Sequence, residues 1–245
     1  MCEHCGCGLP PAGETHTHGS DTRVRVDLMQ SLLDTNRAQA EENRRHLMDH
    51  RVYGVNIMSS PGAGKTTLLE AIVRQAKGRF RIGALEGDVA TERDAERLRT
   101  LGIPVHSLTT GSTCHLDAKL VHAGLHVLPL DDIDLLFVEN VGNLICPGLY
   151  DLGCHLNGVL LSVTEGDDKV AKYPQVFRFS QFLSITKVDL LPHVAFDPEQ
   201  PEREARILKG DIRCHRTSAV SGEGVDALLE YLLRECEAAY GTASP

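Results

Sequence analysis

From residue 53 onward, short apolar runs alternate with segments whose apolar residues recur at helical spacing. Seven runs predict strands, at residues 53–59, 80–86, 105–108, 133–139, 158–164, 182–186 and 212–218. Four helices are predicted, at residues 66–77, 91–101, 115–128 and 225–237. This alternation predicts an α/β fold, with a mostly parallel sheet and helices on both faces. Ligands of such sheets bind beyond the carboxyl ends of the strands.

The N-terminal part of the chain has a different pattern. Residues 1–22 are rich in Cys, His, Gly, Pro and Thr and contain almost no large apolar side chains. They cannot bury enough apolar surface to offset the entropy of ordering, so we expect a flexible tail. Apolar positions then recur at loosely helical spacing, which predicts an amphipathic helix over about 24–49 at the start of a domain spanning 23–245.

Composition narrows the class of protein. With 42% hydrophobic and 24% charged residues among 245, the chain suits one globular domain with appendages. A net charge of -9 without any Lys/Arg cluster argues against a nucleic-acid partner. No apolar run reaches the roughly 18 residues of a membrane span, and the N-terminus lacks the order of a signal peptide. We therefore expect a cytoplasmic protein without membrane association.

The segment 59–67, Ser-Ser-Pro-Gly-Ala-Gly-Lys-Thr-Thr, follows a predicted strand and precedes a predicted helix, as a phosphate-binding P-loop does. Gly62 and Gly64 let backbone N–H groups turn toward phosphates, Lys65 would reach the β/γ oxygens, and Thr66 would hold Mg²⁺. The predicted phosphate-binding residues are Gly62, Ala63, Gly64, Lys65, Thr66 and Thr67. Ser59 replaces the usual first glycine of this motif.

Two acidic residues follow other predicted strands. The strand at 133–139 runs into Glu-Asn-Val-Gly, which resembles a D-x-x-G switch with Glu139 in place of Asp. Asp88 follows the second strand and is a candidate ligand of Mg²⁺ or of the attacking water, although a turn-capping Asp is an equally good interpretation. The predicted catalytic residues are Lys65, Thr66, Asp88 and Glu139.

The segment Thr-Lys-Val-Asp at 186–189 resembles the guanine-binding N-K-x-D loop. Asp189 would accept two N–H donors that adenine cannot offer in that pattern, and Lys187 would lie over the base. Ser218 and Ala219 resemble the second guanine loop. Thr186 stands where Asn is usual, which we expect to affect base affinity. Together these motifs favour GTP over ATP.

Eight cysteines in a cytoplasmic protein favour metal binding, because structural disulfides are rare in the cytosol. Cys2, Cys5 and Cys7 offer three thiols within six residues, enough for a sulfur-rich site that suits Ni²⁺ or Zn²⁺.

A second metal site is predicted from three residues near the phosphate loop. Cys114 and His115 are expected to open a helix, which would lower the thiol pKa, and Cys146 follows the switch carboxylate. A lone cysteine is more often a small buried hydrophobe. Three further cysteines are assigned to that class: Cys154, Cys214 and Cys236.

Long strings of the sequence resemble the hydrogenase nickel-incorporation GTPases, the HypB-type maturation proteins. These strings are the segments 56–67, 86–88, 114–118, 139–147 and 161–169, together with the three N-terminal cysteines Cys2, Cys5 and Cys7, which are called the cysteine head below. The resemblance implies a P-loop G-domain, a tight nickel site in the head and a weaker nickel or zinc site at Cys114, His115 and Cys146. It also implies GTP-dependent nickel delivery to the large subunit of [NiFe]-hydrogenase, a zinc-containing HypA-type partner and a homodimer favoured by GTP.

Three alternatives remain at this point. A sister GTPase serving urease nickel or a cobalamin enzyme fits less well with the cysteine head and with Cys146-Pro147. An ATP-using small-molecule kinase would need an acceptor site and adenine preference. A passive nickel store would not need the intact Lys65, Thr66 and Asp189.

Overall fold

The structure is a computed structural model that describes residues 19–76, 78–88, 92–111 and 113–241. Seven strands are β1 Tyr53–Ser59, β2 Ile82–Asp88, β3 Val105–Thr109, β4 Leu135–Glu139, β5 Leu156–Ser162, β6 Phe182–Thr186 and β7 Arg213–Thr217. The α-helices are α1 Gly19–Asp49, α2 Lys65–Ala76, α3 Arg93–Arg99, α4 Ala118–Leu125, α5 Lys169–Lys172, α6 Pro174–Phe179, α7 Glu199–Leu208 and α8 Val225–Tyr240. Short 3-10 helices span Leu130–Asp132, Pro147–Leu149 and Val188–His193.

The seven strands form one sheet in the order β3-β2-β4-β1-β5-β6-β7, and every pairing is parallel. The central strand β1 lies between β4 and β5. The connection from β4 to β5 therefore passes β1 and takes the chain from one half of the sheet to the other. Because all strands run the same way, their carboxyl ends share one edge, where ligands of such sheets bind. The predicted α/β fold class is confirmed.

Alternate residues of the strands face opposite sides of the sheet, as the pleat requires. Along β4, Leu135 and Phe137 pack with helices α2 and α8, whereas Leu136 and Val138 pack with α4. On that second side β5 and β6 meet α6 and α7. Both faces are therefore covered, which explains why β1 is buried at every position.

The helices differ from the sequence predictions in two respects. The helix expected at 115–128 begins only at Ala118, because the Asp117 side chain accepts the Leu120 N–H at 2.8 Å and caps it. Cys114 and His115 thus precede the helix, and the expectation that they open it is wrong. Helices α5, α6 and α7 were not predicted, since α5 and α6 are short, α7 is dominated by charged residues, and both α6 and α7 contain proline.

The chain divides into two units, one ending at Thr35 and the other beginning at Asn36. Helix α1 begins at Gly19, five residues before the predicted start. The sheet and all sites described below belong to the second unit. Among the described residues, no helix has the length and apolar character needed to cross a membrane.

Candidate functional site

The loop between β1 and α2 has the backbone of a phosphate cradle. Gly62 and Gly64 adopt φ angles of 77° and 92°, which glycine tolerates and other residues rarely adopt. Lys65 begins α2, and its ammonium donates to the Ser59 hydroxyl at 3.1 Å. Ser59 therefore holds the lysine at the mouth of the loop.

The end of β6 supports this loop from the side. The Thr186 hydroxyl donates to the Ala63 carbonyl at 2.7 Å, and Lys187 donates to the Gly62 carbonyl at 2.7 Å. Lys187 has a positive φ of 59°, a strained conformation for a residue with a side chain. Thr186, which the sequence linked only to base affinity, also contacts the phosphate loop directly.

Carboxylates gather beside the loop at the ends of β2 and β4. Thr66 donates to Glu139 at 2.8 Å, and oxygens of Glu86, Asp94 and Glu139 lie within 4.8 Å of one another. The strand register places Glu86 opposite Glu139, and both are almost completely buried. Three carboxylates this close repel one another unless a cation or protons intervene, so their donor set suits Mg²⁺.

Glu139 shows the electrostatic cost of this arrangement. Burial raises the pKa of Glu139 to about 7, against opposing effects of the Lys65 ammonium and the Thr66 hydrogen bond. Its second carboxylate oxygen is buried and has no hydrogen-bond partner among the described residues. A buried oxygen of this kind is costly unless a ligand satisfies it.

The candidate base-binding residues lie beyond β6 and β7. Asp189 is in the 3-10 helix after β6, and its Oδ1 is buried without a partner in the described part of the chain. Ser218 is fully buried in the turn after β7, where its backbone N–H donates to the Glu223 carbonyl at 2.9 Å, and the half-buried Ala219 follows it. The structure thus brings both predicted base-binding segments to the same sheet edge as the phosphate loop.

A second cluster lies between the Cys114 loop and the segment after β4. The sulfur atoms of Cys114 and Cys146 are 3.1 Å apart, and ligand atoms of both lie within 4.8 Å of a His115 nitrogen. The His115 ring stacks on Tyr150 with centroids 4.0 Å apart. Burial lowers the pKa of His115, with Asp117 opposing. The neutral imidazole and two thiols are soft donors that suit Ni²⁺ or Zn²⁺.

Asparagines connect this cluster to the phosphate loop. Asn143 donates to the Cys114 carbonyl at 3.3 Å and forms an isolated antiparallel bridge with Ser59. The buried Asn140 side chain accepts the Leu116 N–H at 3.2 Å. Because Asn140 directly follows Glu139, one residue connects the switch carboxylate to the loop that carries Cys114 and His115.

Some predicted residues cannot be compared with this geometry. Cys2, Cys5 and Cys7 lie outside the described residues, as does the side chain of Asp88. Glu86, Asp94 and Asn143 were not singled out as site residues by the sequence analysis. The sequence could have indicated Glu86, because the predicted strand 80–86 ends at this carboxylate as the predicted strand 133–139 ends at Glu139. No comparable sequence pattern indicates Asp94 or Asn143.

The remaining cysteines differ in burial. Cys154 and Cys236 are buried, and burial raises the pKa of each thiol to about 12. Cys214 is half-buried, and its thiol pKa is also raised by burial. Such thiols stay protonated and behave as small hydrophobes.

Comparisons with known proteins show the family of this chain. Residues 53–215 match the family model described as CobW/HypB/UreG, nucleotide-binding domain. The chain is 42% identical to the hydrogenase maturation factor HypB of Escherichia coli K12, over 89% of this chain and 75% of that protein. It is 40% identical to the probable hydrogenase maturation factor HypB of Methanocaldococcus jannaschii, over 84% and 94% of the two chains.

The fold of this chain is also similar to that of a solved HypB structure. The crystal structure of HypB from Helicobacter pylori in complex with nickel superposes with a TM-score of 0.81 at 36% identity. The match covers 86% of this chain and 99% of that one.

Proposed function

This chain belongs to the CobW/HypB/UreG family, as a HypB-type hydrogenase maturation factor, and we propose that it hydrolyses GTP to deliver nickel to a [NiFe]-hydrogenase. Its relatives are named hydrogenase maturation factors, and the Helicobacter pylori protein was crystallised with nickel. The observation that carries the proposal is that two buried carboxylate oxygens beside the phosphate loop, Glu139 Oε2 and Asp189 Oδ1, have no hydrogen-bond partner among the described residues. They flank the phosphate loop from strands on opposite sides of β1.

The nucleotide chemistry follows from the positions of these groups. The glycine-rich loop directs backbone N–H groups at the phosphates, Lys65 neutralises the β/γ oxygens, and Asp189 accepts the guanine N–H donors. Bound Mg²⁺, held by Thr66 and Asp88 in this proposal and lying beside the carboxylate cluster that contains Glu139, would neutralise charge on the phosphates. Glu139, bonded to Thr66, orients the attacking water. The sequence around the switch, residues 135–147, contains neither Arg nor Gln, so hydrolysis should be slow.

Nickel is the cargo in this proposal. Cys114, His115 and Cys146 supply two sulfurs and one nitrogen, a weaker site for nickel or zinc, while the cysteine head of the chain forms the tighter site. Delivery needs partners, for which we propose a zinc-containing HypA-type protein and the large subunit of the hydrogenase. A homodimer favoured by GTP completes the proposal.

Nucleotide hydrolysis is tested with Lys65→Ala and, as a matched control, the exposed Lys119→Ala on α4. Phosphate release is measured with GTP and with ATP, with Mg²⁺ and with EDTA. We expect slow, Mg²⁺-dependent turnover that prefers GTP, is lost in Lys65→Ala and persists in Lys119→Ala. Parental turnover in Lys65→Ala would refute the phosphate-loop role, and ATP preference would favour a kinase.

A further inference from the structure

Four histidines face one another across α1 and α4, away from the cysteines. His46 and His50 are four residues apart at the end of α1, and His122 and His126 are four apart on α4 and its cap. Residues at this spacing share one helix face. Ligand nitrogens of His46, His122 and His126 lie within 4.8 Å of one another. The fourth, His50, bonds Asp131 through Nδ1 at 2.7 Å and lies outside this group of three.

Asn43 fixes which nitrogen of His122 carries the proton. This buried amide donates through Nδ2 to the Ala118 and Leu152 carbonyls, at 2.7 and 3.0 Å. Its oxygen is therefore turned toward His122 Nδ1, 2.9 Å away, and can only accept. His122 must be protonated at Nδ1, which leaves a lone pair on Nε2. Histidines that bind metals are commonly oriented by such a bond from the other ring nitrogen.

That lone pair points at a second imidazole. His126 Nε2 is 3.1 Å from His122 Nε2, so a single proton, on His126, satisfies both nitrogens when no metal is bound. The His46 ring lies 4.8 Å from the His126 ring and 6.0 Å from the His122 ring, centroid to centroid. His46 and His122 are half-buried and His126 is exposed, so the cluster is open to ions from solvent.

We propose that His46, His122 and His126 form a binding site for a borderline divalent transition ion, Zn²⁺ or Ni²⁺. Imidazole is a preferred ligand of both, and three histidines leave one position for water or an exchanging ligand. Binding requires the His126 proton to move from Nε2 to Nδ1 by exchange with solvent, so that the neutral imidazole offers Nε2 to the ion and no proton is released overall. The site does not depend on nucleotide binding.

The position of this site on α4 indicates what it could do. His122 lies seven residues after His115, and α4 begins directly after the loop that carries Cys114 and His115. One short helix thus connects the cysteine cluster to the histidine cluster. A second ion held here is bound by nitrogen ligands alone, whereas the cysteine cluster supplies two sulfurs and one nitrogen.

The test uses the full chain with its two predicted thiol sites removed. The starting protein for this test, called the background, is a variant in which five cysteines are replaced by Ser: Cys2, Cys5, Cys7, Cys114 and Cys146. Zn²⁺ and Ni²⁺ are titrated separately by calorimetry into this background, into the background with His126→Gln, and into the background with the exposed His193→Gln as a matched control. We expect one equivalent to bind in the background and the control.

His126→Gln should weaken binding by at least about 100-fold, since losing a ligand costs more than losing an orienting partner. The thermal midpoint without metal should change little, because His126 is exposed. The proposal is overturned if the background binds neither ion stoichiometrically, or if His126→Gln binds as tightly as the control.

A second measurement avoids the altered background. Imidazole nitrogen NMR on the unaltered chain with excess diamagnetic Zn²⁺ should shift His122 Nε2 while its Nδ1–H remains. An unchanged His122 Nε2 resonance at saturating zinc would overturn the site independently of the cysteine substitutions.

Discussion

At the scale of single residues, two carboxylates of the candidate site each have one buried oxygen that a bound ligand could satisfy. Thr66 donates to one oxygen of Glu139, while the other oxygen of Glu139 and Oδ1 of Asp189 have no hydrogen-bond partner in the described part of the chain. Burying a polar oxygen without a hydrogen bond costs free energy, and a bound ligand can offset that cost. Such atoms are therefore often found at binding sites. Each residue gives a prediction with a different readout.

Asp189→Asn should weaken GTP binding by roughly 10- to 100-fold, the effect of leaving a buried donor of the guanine without an acceptor. Xanthosine triphosphate, with a carbonyl in place of the exocyclic amine, should bind this variant better than GTP does. Binding is measured by fluorescence titration, with the exposed Asp211→Asn as control. Equal GTP affinity in the two variants would remove Asp189 from base recognition.

Glu139→Gln should make the nucleotide-free protein more stable at alkaline pH. The folded pKa of Glu139 is raised from 4.5 to about 7, so the folded state must carry a buried charge that costs free energy as pH rises between these values. One pKa unit corresponds to about 1.4 kcal/mol, which gives an advantage of about 3 kcal/mol for the neutral amide above pH 7. The advantage should vanish toward pH 4.5.

Urea unfolding in EDTA at several pH values measures this difference. The exposed Glu96→Gln is the matched control and should show no such dependence. A constant difference between Glu139→Gln and the parent across pH would contradict the raised pKa. The same variant should lose Mg²⁺-dependent turnover.

At the scale of elements, the phosphate loop and the segment after β4 pack against each other without a side chain between them. A Cβ on Gly142 would lie 2.9 Å from Pro61 Cα and 3.1 Å from Pro61 N. Both are backbone atoms, which cannot rotate away as a side chain can. Gly142 therefore sets how closely the switch sequence approaches the phosphate loop.

Gly142→Ala should separate these two segments, destabilising the fold by about 1–3 kcal/mol and reducing GTP turnover more than the control does. Gly210→Ala is the control, because a Cβ there meets nothing within 4 Å and Gly210 has no positive φ. Chemical denaturation and single-turnover hydrolysis measure the two effects. Turnover equal to that of Gly210→Ala would show that the close approach has no functional consequence.

At the scale of the whole molecule, the nucleotide and cysteine sites share one segment of chain. Asn143 contacts Ser59 at the start of the phosphate loop and the carbonyl of Cys114. Cys146, three residues later, supplies a sulfur. A γ-phosphate that draws Glu139 inward would therefore move one metal ligand relative to the other two.

GTP loading should change the nickel affinity of Cys114, His115 and Cys146, by about 5- to 150-fold for a typical coupling of 1–3 kcal/mol. By reciprocity, nickel should change the affinity for the GTP analogue by the same factor. The measurement is nickel titration with GDP and then with a non-hydrolysable analogue, in a chain with Cys2, Cys5 and Cys7 replaced by Ser.

Asn143→Ala should reduce this coupling while leaving both ligands able to bind, because it removes the bond to the Cys114 carbonyl and keeps the sulfur atoms. Cys146→Ala should remove nickel binding itself. Identical nickel affinities in the two nucleotide states, or coupling unchanged in Asn143→Ala, would end the proposed connection.

The sequence by itself determined the α/β class, the seven strands in order, and the phosphate loop with its neighbours. These features are local, because a strand, a glycine turn and a helix start follow within a dozen residues and each leaves its own pattern. Two of seven strands, Tyr53–Ser59 and Phe182–Thr186, were predicted to the residue. Cys114, His115 and Cys146 were predicted as a metal site from the residues themselves, and the family resemblance implied the same three.

Only the tertiary structure decided which distant side chains meet. Glu86 joins Glu139 because β2 and β4 pair in one register, and a shift of one residue would turn the side chain to the other face of the sheet. His46 meets His122 and His126 through the packing of α1 on α4, across more than seventy residues of chain. Helical spacing places residues on a face, but the partner of that face is chosen by packing of the whole core.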